Sequence, residues 1–297
     1  MKPLLKWVGG KSSILEEVLS HFPSEINDYY EPFLGGGSVL LGLLSSKKHN
    51  IKGQIYACDI NPDLIHFYKN VKEKPQELIE YLKILQSEFL FTQEEEKDSD
   101  RKKGERIKVS SREEATRSKE YYYYWIRDCF NKEEKRDSPV CSAMLLFLNK
   151  TCFRGVYREG PNGFNVPYGN YKNPTILDEQ HIREVSNLIQ NVVFRNVDFS
   201  SCLNLPEEGD FVYLDPPYVP ETEKSFVGYT SSGFSLEQHQ KLFLMVKGLS
   251  CKFLLSNSAV PLVRDSFSGY STTLIECRRA INSKNPESST NEVLIHN

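Results

Sequence analysis

Phe211-Val212-Tyr213-Leu214-Asp215-Pro216-Pro217-Tyr218 is the stretch from which the rest of the chain can be read. Phe211 to Leu214 are apolar or aromatic and form a run of strand length. Asp215 stands where that run ends. Pro216 and Pro217 carry no amide hydrogen, so they cannot continue a central strand; they stiffen a turn and leave carbonyls free. Tyr218 adds an aromatic face. A carboxylate, fixed carbonyls and a flat ring at the C-terminal edge of a sheet suit a planar ligand with an amino group, such as a nucleobase. Taken alone, the same residues also read as a proline turn that closes a strand.

Upstream, Tyr29-Tyr30-Glu31-Pro32-Phe33-Leu34-Gly35-Gly36-Gly37-Ser38 leads into Val39-Leu40-Leu41. The pattern is a short strand, a glycine turn that lets a ligand approach the backbone, and a helix. It is not the G-x-G-x-x-G fingerprint, and it lacks the G-K-[ST] ending of a phosphate loop. About twenty residues on, Gln54 to Cys58 read as a second strand ending in Asp59, where a Rossmann-like fold binds ribose hydroxyls. Glycine turn plus acid points to an adenosine-containing cofactor; a strand–loop–helix unit without a ligand is the alternative. Val192 to Asn196 read as a third strand, followed by a second acid–aromatic pair, Asp198-Phe199. Helical patterns cover Pro62 to about Leu90, with Pro75 at a helix start, and Ile182 to Ile189. Later come a helix at 235–248, a strand at 252–256 ending in Ser256-Asn257, and a helix at 260–267. Apolar runs at 272–277 and 292–295, separated by a polar loop, predict an antiparallel pair. Strands alternating with helices imply an α/β sheet.

At 297 residues the chain holds one large domain or two smaller ones, and 39% hydrophobic with 26% charged residues is the composition of a globular protein. No apolar run reaches the length of a membrane span, and the N-terminus lacks a signal-peptide layout. Seven cysteines are scattered without a C-x-x-C pair, which argues against a disulfide framework or a zinc site and for a reducing compartment. We therefore expect a cytoplasmic protein without metal or membrane. A net charge of -3 leaves any nucleic-acid partner to local clustering.

Such a cluster lies at 149–172. Lys150, Arg154, Arg158 and Lys172 against Glu159 leave +3, interleaved with Phe153, Tyr157, Phe164, Tyr168 and Tyr171. Glycines and prolines from Gly155 to Gly169 predict a hairpin or loop. Bases, rings and a turn suit a nucleic-acid reader, or equally an aromatic-rich structural hairpin. Residues 93–117 hold eight acidic and eight basic residues and read as a solvated insertion. Tyr121 to Trp125 read as helix core and surface rather than a stacking platform. The polar loop 219–234 has the length of a lid. At the N-terminus, Lys6-Trp7-Val8-Gly9-Gly10-Lys11 precedes a helix for which Ser13 and Glu16 predict a capping box.

Together these motifs resemble the Dam-like (D12 class, alpha group) DNA adenine-N6 methyltransferases. The resemblance rests on Lys6-Trp7-x-Gly9-Gly10-Lys11, Glu31-Pro32-Phe33-x-Gly35-Gly36-Gly37-Ser38, Gly163 to Gly169 with Lys172, and Asp215-Pro216-Pro217-Tyr218, in that order. It implies a Rossmann-like class I methyltransferase sheet, mostly parallel with one late antiparallel strand. A mainly helical DNA-recognition domain at 63–173, with its hairpin at 153–171, is inserted between 1–62 and 174–297.

It also implies S-adenosyl-L-methionine as methyl donor, with S-adenosyl-L-homocysteine as product, and double-stranded DNA as partner. Trp7, Lys11, Glu31, Phe33, Gly35, Gly37, Asp59, Asp198 and Phe199 are then expected at the cofactor. Lys6, Arg154, Val156, Arg158, Pro167 and Lys172 are expected at DNA, and Asp215, Pro216 and Tyr218 at the reacting adenine. The expected site is GATC or a related palindrome such as CATG, because Arg154-Gly155-Val156 stands where many Dam-like chains have Asn-Gly-Leu. A monomer or weak dimer is expected, with a cognate restriction endonuclease as a further partner acting on the same site.

Overall fold

The computed structural model describes residues 1–92, 107–220, 234–278 and 289–297, with backbone alone at 276–278 and 289–290. Most of the charged insertion (93–106), the lid-length loop (221–233) and most of the late polar loop (279–288) lie outside the described residues. The chain divides into two compact units, each discontinuous in sequence: Lys11–Asn61 with Asn191–Asn297, and Met1–Gly10 with Pro62–Gln190.

The first unit is built on a seven-stranded sheet. Its strands are β1 (Tyr29–Glu31), β2 (Ile55–Asp59), β3 (Val192–Asn196), β4 (Phe211–Leu214), β5 (Lys252–Ser258), β6 (Ser271–Arg278) and β7 (Ser289–His296). They lie in the order β6-β7-β5-β4-β1-β2-β3. β1, β2, β3, β4 and β5 pair in parallel, whereas β7 runs antiparallel to both β5 and β6. Tyr29 of β1 stands opposite Ile55 on one side and Phe211 on the other. From β1 the chain builds outward through β2 and β3, then returns to β4 on the opposite flank. The order therefore reverses at β1 and β4, and ligand crevices in such sheets open at the carboxyl ends of those strands.

Every residue of β4 is buried, which accounts for its unbroken apolar run. On one face Val212 and Leu214 join Phe253, Leu255, Val293 and Ile295 in the core. On the other, Phe211 and Tyr213 pack their rings against Phe22. The Leu236–Lys247 helix opens with a capping box between Ser235 and Gln238. The box expected at Ser13 does not form. The first helix runs Leu15–Ser20 from Ile14, without a side-chain cap. Residues 11–14 are occupied by a turn, in which Ile14 N–H donates to the Lys11 carbonyl.

The second unit is helical. Its main helices are Pro62–Glu73, Pro75–Phe91, Lys119–Lys132, Pro139–Thr151 and Glu179–Leu188. The Pro139–Thr151 helix is buried on nearly every side and forms the centre of the unit. Phe147 meets Phe89 and Tyr122 edge to face. The tyrosine run divides as a helix in a core requires: Tyr122 and Tyr123 are buried, Tyr121 and Tyr124 only partly. The described part of the insertion carries a short helix, Arg112–Ala115, capped by Ser111. Met1–Gly10 and the Glu179–Leu188 helix, which the resemblance grouped with the sheet, belong to this compact unit. Lys6 N–H donates to Asn149 Oδ1 at 2.8 Å, and His181 Nε2 lies 3.0 Å from the Lys2 carbonyl. Among the described residues, no helix is long and apolar enough to cross a membrane.

Candidate active site and recognition segment

β4 delivers Asp215 to the carboxyl edge of the sheet, followed by a buried Pro216 and an exposed Pro217. Lys11 Nζ donates to Asp215 Oδ2 at 2.7 Å; the two side chains are 5% and 19% exposed. The same ammonium stands 4.9 Å from the centroid of the Tyr218 ring. Lys11 N–H donates to Ser38 Oγ at 3.0 Å, which ties this lysine to the start of the Ser38–Ser45 helix. Tyr218 OH donates to Glu292 Oε2 of β7 at 2.8 Å. Ser256 Oγ of β5, 2.6 Å from the same phenol, is then the donor in that contact. Val219 N–H donates to Asn257 Oδ1 at 3.1 Å. The reversed strand and its neighbour thus hold the Tyr218 ring by its tip.

Burial pushes the Asp215 carboxyl above its usual range, Lys11 draws it back down, and Glu292 adds to the upward push. Glu31, at the end of β1, is buried and accepts from Tyr29 OH at 2.7 Å. Burial pushes Glu31 up to about 8 against that hydrogen bond, with Asp215 and Asp59 adding repulsion. Glu31 therefore carries a proton through most of the neutral range.

Gly35 and Gly37 have φ of 50° and 71°, the left-handed region in which a side chain is strained. This lets Gly35 N–H reach Asp59 Oδ2 at 2.9 Å, while Asn61 N–H takes Oδ1 at 2.9 Å. Burial raises Asp59 and these backbone bonds oppose the rise. Asn196, ending β3, donates to the carbonyls of Asp59 and Ile60, both at 3.0 Å. Phe33 stacks on Phe199 at 5.7 Å, and Phe234 packs against both rings at 5.9 and 5.6 Å. Asp198 caps the Phe199–Leu203 helix by accepting from Ser200 N–H at 2.9 Å. Lys241 Nζ lies over the Phe199 ring and donates to Ser200 Oγ at 2.9 Å. An aromatic surface beside an acid at the end of β2 offers stacking and acceptor groups that suit an adenosine-containing ligand.

In the helical unit, Trp7 stacks on Tyr157 with centroids 5.1 Å apart. Tyr157 OH donates to Asp63 Oδ2 at 3.0 Å, and Arg136 grips the same carboxylate with two nitrogens. Asn149 donates to the carbonyls of Lys6, at 2.8 Å, and Gly155, at 3.1 Å. Gly155 holds φ 65°, and a Cβ there would stand 2.9 Å from Lys6 Cβ and 3.2 Å from the Asn149 carbonyl, so a side chain at this position is strained. Glu159–Gly160 pairs antiparallel with Gly163–Phe164 to form the hairpin. The Lys119–Lys132 helix supports it with every fourth residue. Tyr123 and Arg127 donate to the Val166 carbonyl at 2.7 and 3.2 Å. Asn131 exchanges two bonds with the Phe164 backbone, at 3.0 and 2.8 Å. Phe153 N–H donates to the Pro167 carbonyl at 2.8 Å.

Arg154, Arg158, Pro167 and Lys172 are exposed, and Val156 is half-buried. Arg158 Nε donates to Asn165 Oδ1 at 2.6 Å. Arg154 holds φ 59°, an uncommon conformation for a residue with a side chain. Lys6 is exposed, with its ammonium 5.2 Å from the centroid of Tyr171.

The sheet unit thus brings together Lys11, Asp215 and Tyr218, then Gly35 with Asp59, and Phe33 with Phe199. Lys11, expected at the cofactor, makes its 2.7 Å bond with Asp215. Trp7 and Lys6 belong to the helical unit. Sequence reasoning missed Glu292, Asn149, Asp63 with Arg136, and Phe234. Ser256-Asn257 carried a partial signal, as polar residues closing an apolar strand. Among the described residues, no group of three or more His, Cys, Asp or Glu side chains could hold a metal ion.

Residues 7–281 match the family model described as D12 class N6 adenine-specific DNA methyltransferase. The chain is 37% identical over 296 residues to Type II methyltransferase M.MjaIII of Methanocaldococcus jannaschii, across 96% of this chain and 94% of that one. It is 30% identical to the DNA adenine methylase of Haemophilus influenzae, across 96% of this chain and 89% of that one. The DNA adenine methylase of Escherichia coli K12 is also 30% identical, across 95% and 90%. With Asp215-Pro216-Pro217-Tyr218 at the switch point of a parallel sheet and the match running over nearly the whole chain, this protein belongs to the D12 class of N6 adenine-specific DNA methyltransferases.

Proposed function

We propose that the enzyme methylates N6 of an adenine flipped out of a short duplex palindrome, GATC or a relative such as CATG, with S-adenosyl-L-methionine as donor. The observation that carries this reading is the position of Asp215: at the end of β4, beside a Tyr218 ring fixed by its hydroxyl. When bound, the donor supplies an electrophilic methyl group on a sulfonium. An exocyclic adenine amine is a poor nucleophile, because its lone pair is delocalised into the ring. Asp215 and the Pro216 carbonyl accept the two N6 hydrogens, which aims the lone pair and favours the developing positive charge. Tyr218 stacks on the base, which must leave the duplex to reach this depth.

Glu31, Phe33, Gly35 and Gly37 surround the methionine end of the donor, Asp59 takes the ribose hydroxyls, and Asp198 with Phe199 receives the adenine. Trp7 and Lys11 are assigned to the same cofactor. Residues 63–173 act as the target-recognition domain, and Lys6, Arg154, Val156, Arg158, Pro167 and Lys172 face the DNA. The enzyme works in the cytoplasm as a monomer or weak dimer, beside a restriction endonuclease acting on the same site. Methylation of unmethylated duplex DNA with labelled donor, followed by modification-sensitive sequencing, tests base and site together. Label on cytosine, or on no base, rejects the reading.

A further inference from the structure

We infer that Lys11 is a positioning residue for the target amino group: its ammonium holds Asp215 as an aimed carboxylate and stands in the seat, between Asp215 and the Tyr218 ring, that the adenine amine takes. The inference rests on the proposed role of Asp215 as acceptor of the N6 hydrogens. It departs from the assignment of Lys11 to the cofactor.

Two distances define the seat. Lys11 Nζ is 2.7 Å from Asp215 Oδ2, a charge-assisted hydrogen-bond length. It is also 4.9 Å from the Tyr218 centroid, within the reach of a ring face for a cation. An amine that bonds to Asp215 while its base stacks on Tyr218 must meet the same two limits. The lysine is not a surface cation that has strayed inward. Its side chain is 5% exposed, and its own N–H is fixed on Ser38 Oγ.

The charges around Asp215 explain why a cation is needed there. The titratable groups that act on this carboxyl, or on which it acts, are Lys11, Glu31, Tyr213, Tyr218 and Glu292. Lys11 alone among them is a cation. Burial first, and then Glu292, drive the Asp215 carboxyl towards its protonated form. Tyr213 and Tyr218 are held well above the ordinary phenol range and stay neutral. A protonated Asp215 would turn one oxygen into a donor and lose its grip on an amine that has only hydrogens to offer. A carboxylate has lone pairs for more than one donor, so the ammonium can yield its place without leaving the neighbourhood.

The test is the pH dependence of kcat/KM in full-length Lys11→Met and Lys11→Gln, beside S-adenosyl-L-homocysteine affinity measured by calorimetry. Loss of the ammonium is expected to move the acid limb upward by about one pH unit or more. A moved limb in either folded variant supports the assignment, whether or not cofactor affinity also falls. An unmoved limb overturns it, and an unmoved limb with weakened cofactor binding returns Lys11 to the cofactor. Asp215→Asn in the same assay separates the two readings. If that variant keeps turnover, the role of Asp215 fails; if it is inactive while the Lys11 limb stays put, only the lysine's role fails.

Discussion

Around Asp215, polar side chains bond to one another: Lys11 to Asp215, Tyr218 to Glu292 and Ser256. In the 153–167 segment several bond to backbone instead: Tyr123 and Arg127 to Val166, Asn131 to Phe164, Asn149 to Lys6 and Gly155. The two regions solve opposite problems. Where each functional group is fixed by another, a single change disturbs several. Bonds from side chains to backbone instead fix the path of a segment and leave its outward side chains exposed. Apart from the Arg158–Asn165 contact and the backbone groups of Lys6 and Pro167, the groups that hold the hairpin are not the exposed residues assigned to DNA. The residues assigned to DNA stand on backbone that other residues hold, whereas the groups around Asp215 hold one another.

This contrast can be broken by mutation. Asp215→Ala is expected to reduce methyl transfer by about a thousandfold or more, the scale of losing a group that acts on developing charge. Cofactor affinity should persist; near-normal turnover in single-turnover assays would remove Asp215 from the chemistry. Next in size is Glu31→Gln. The folded-state value for Glu31 is about 8 against 4.5 for the free side chain, so the folded protein binds a proton that the unfolded chain does not. In the wild type this group's share of stability is full below pH 4.5 and is lost progressively as pH rises to about 8. The upper bound of that loss is about 1.4 kcal/mol for each pH unit crossed. Denaturant melts of Glu31→Gln across the window should show a flatter profile; an equal slope would place the proton elsewhere.

Asn149→Ala leaves the Lys6 and Gly155 backbone groups without partners and is expected to cost about 3 kcal/mol of stability. A thermal melt unchanged from wild type would show that the clamp is dispensable. Arg158→Ala sharpens the comparison from the other side. It should leave the melt nearly unmoved and reduce discrimination between the best site and its single-base variants by about 1–3 kcal/mol. Sequencing of methylated random-site libraries measures this, and an unchanged preference would shift the reading role to Arg154.

The parts of this molecule that were legible in the sequence share one physical property: they are local. β4 is buried on both faces, so its four residues announce a strand without help from any partner. The glycine turn and Asp59 are each written in a few consecutive residues, and their pairing follows from the βαβ spacing. The order of strands, including the reversed β7, was legible only as an antiparallel pair near the end. The residues that hold the site's own side chains were not legible. Glu292 lies 74 residues from the Tyr218 it holds, and Asn149 lies 143 residues from Lys6. Neither carries a pattern in its own neighbourhood, since a buried asparagine and a strand-face glutamate look like any others until the register is known. The link from Lys11 to Asp215, 204 residues apart, is of the same kind.

Arg154 brings the two themes to one residue. Its backbone sits at φ 59°, where asparagine and glycine rest at ease and a long side chain does not. Asparagine is what many Dam-like chains carry at this point of the motif. Asparagine in place of Arg154 would therefore relax the chain while removing a guanidinium from the exposed surface. Backbone ease and exposed positive charge therefore pull in opposite directions at this one residue.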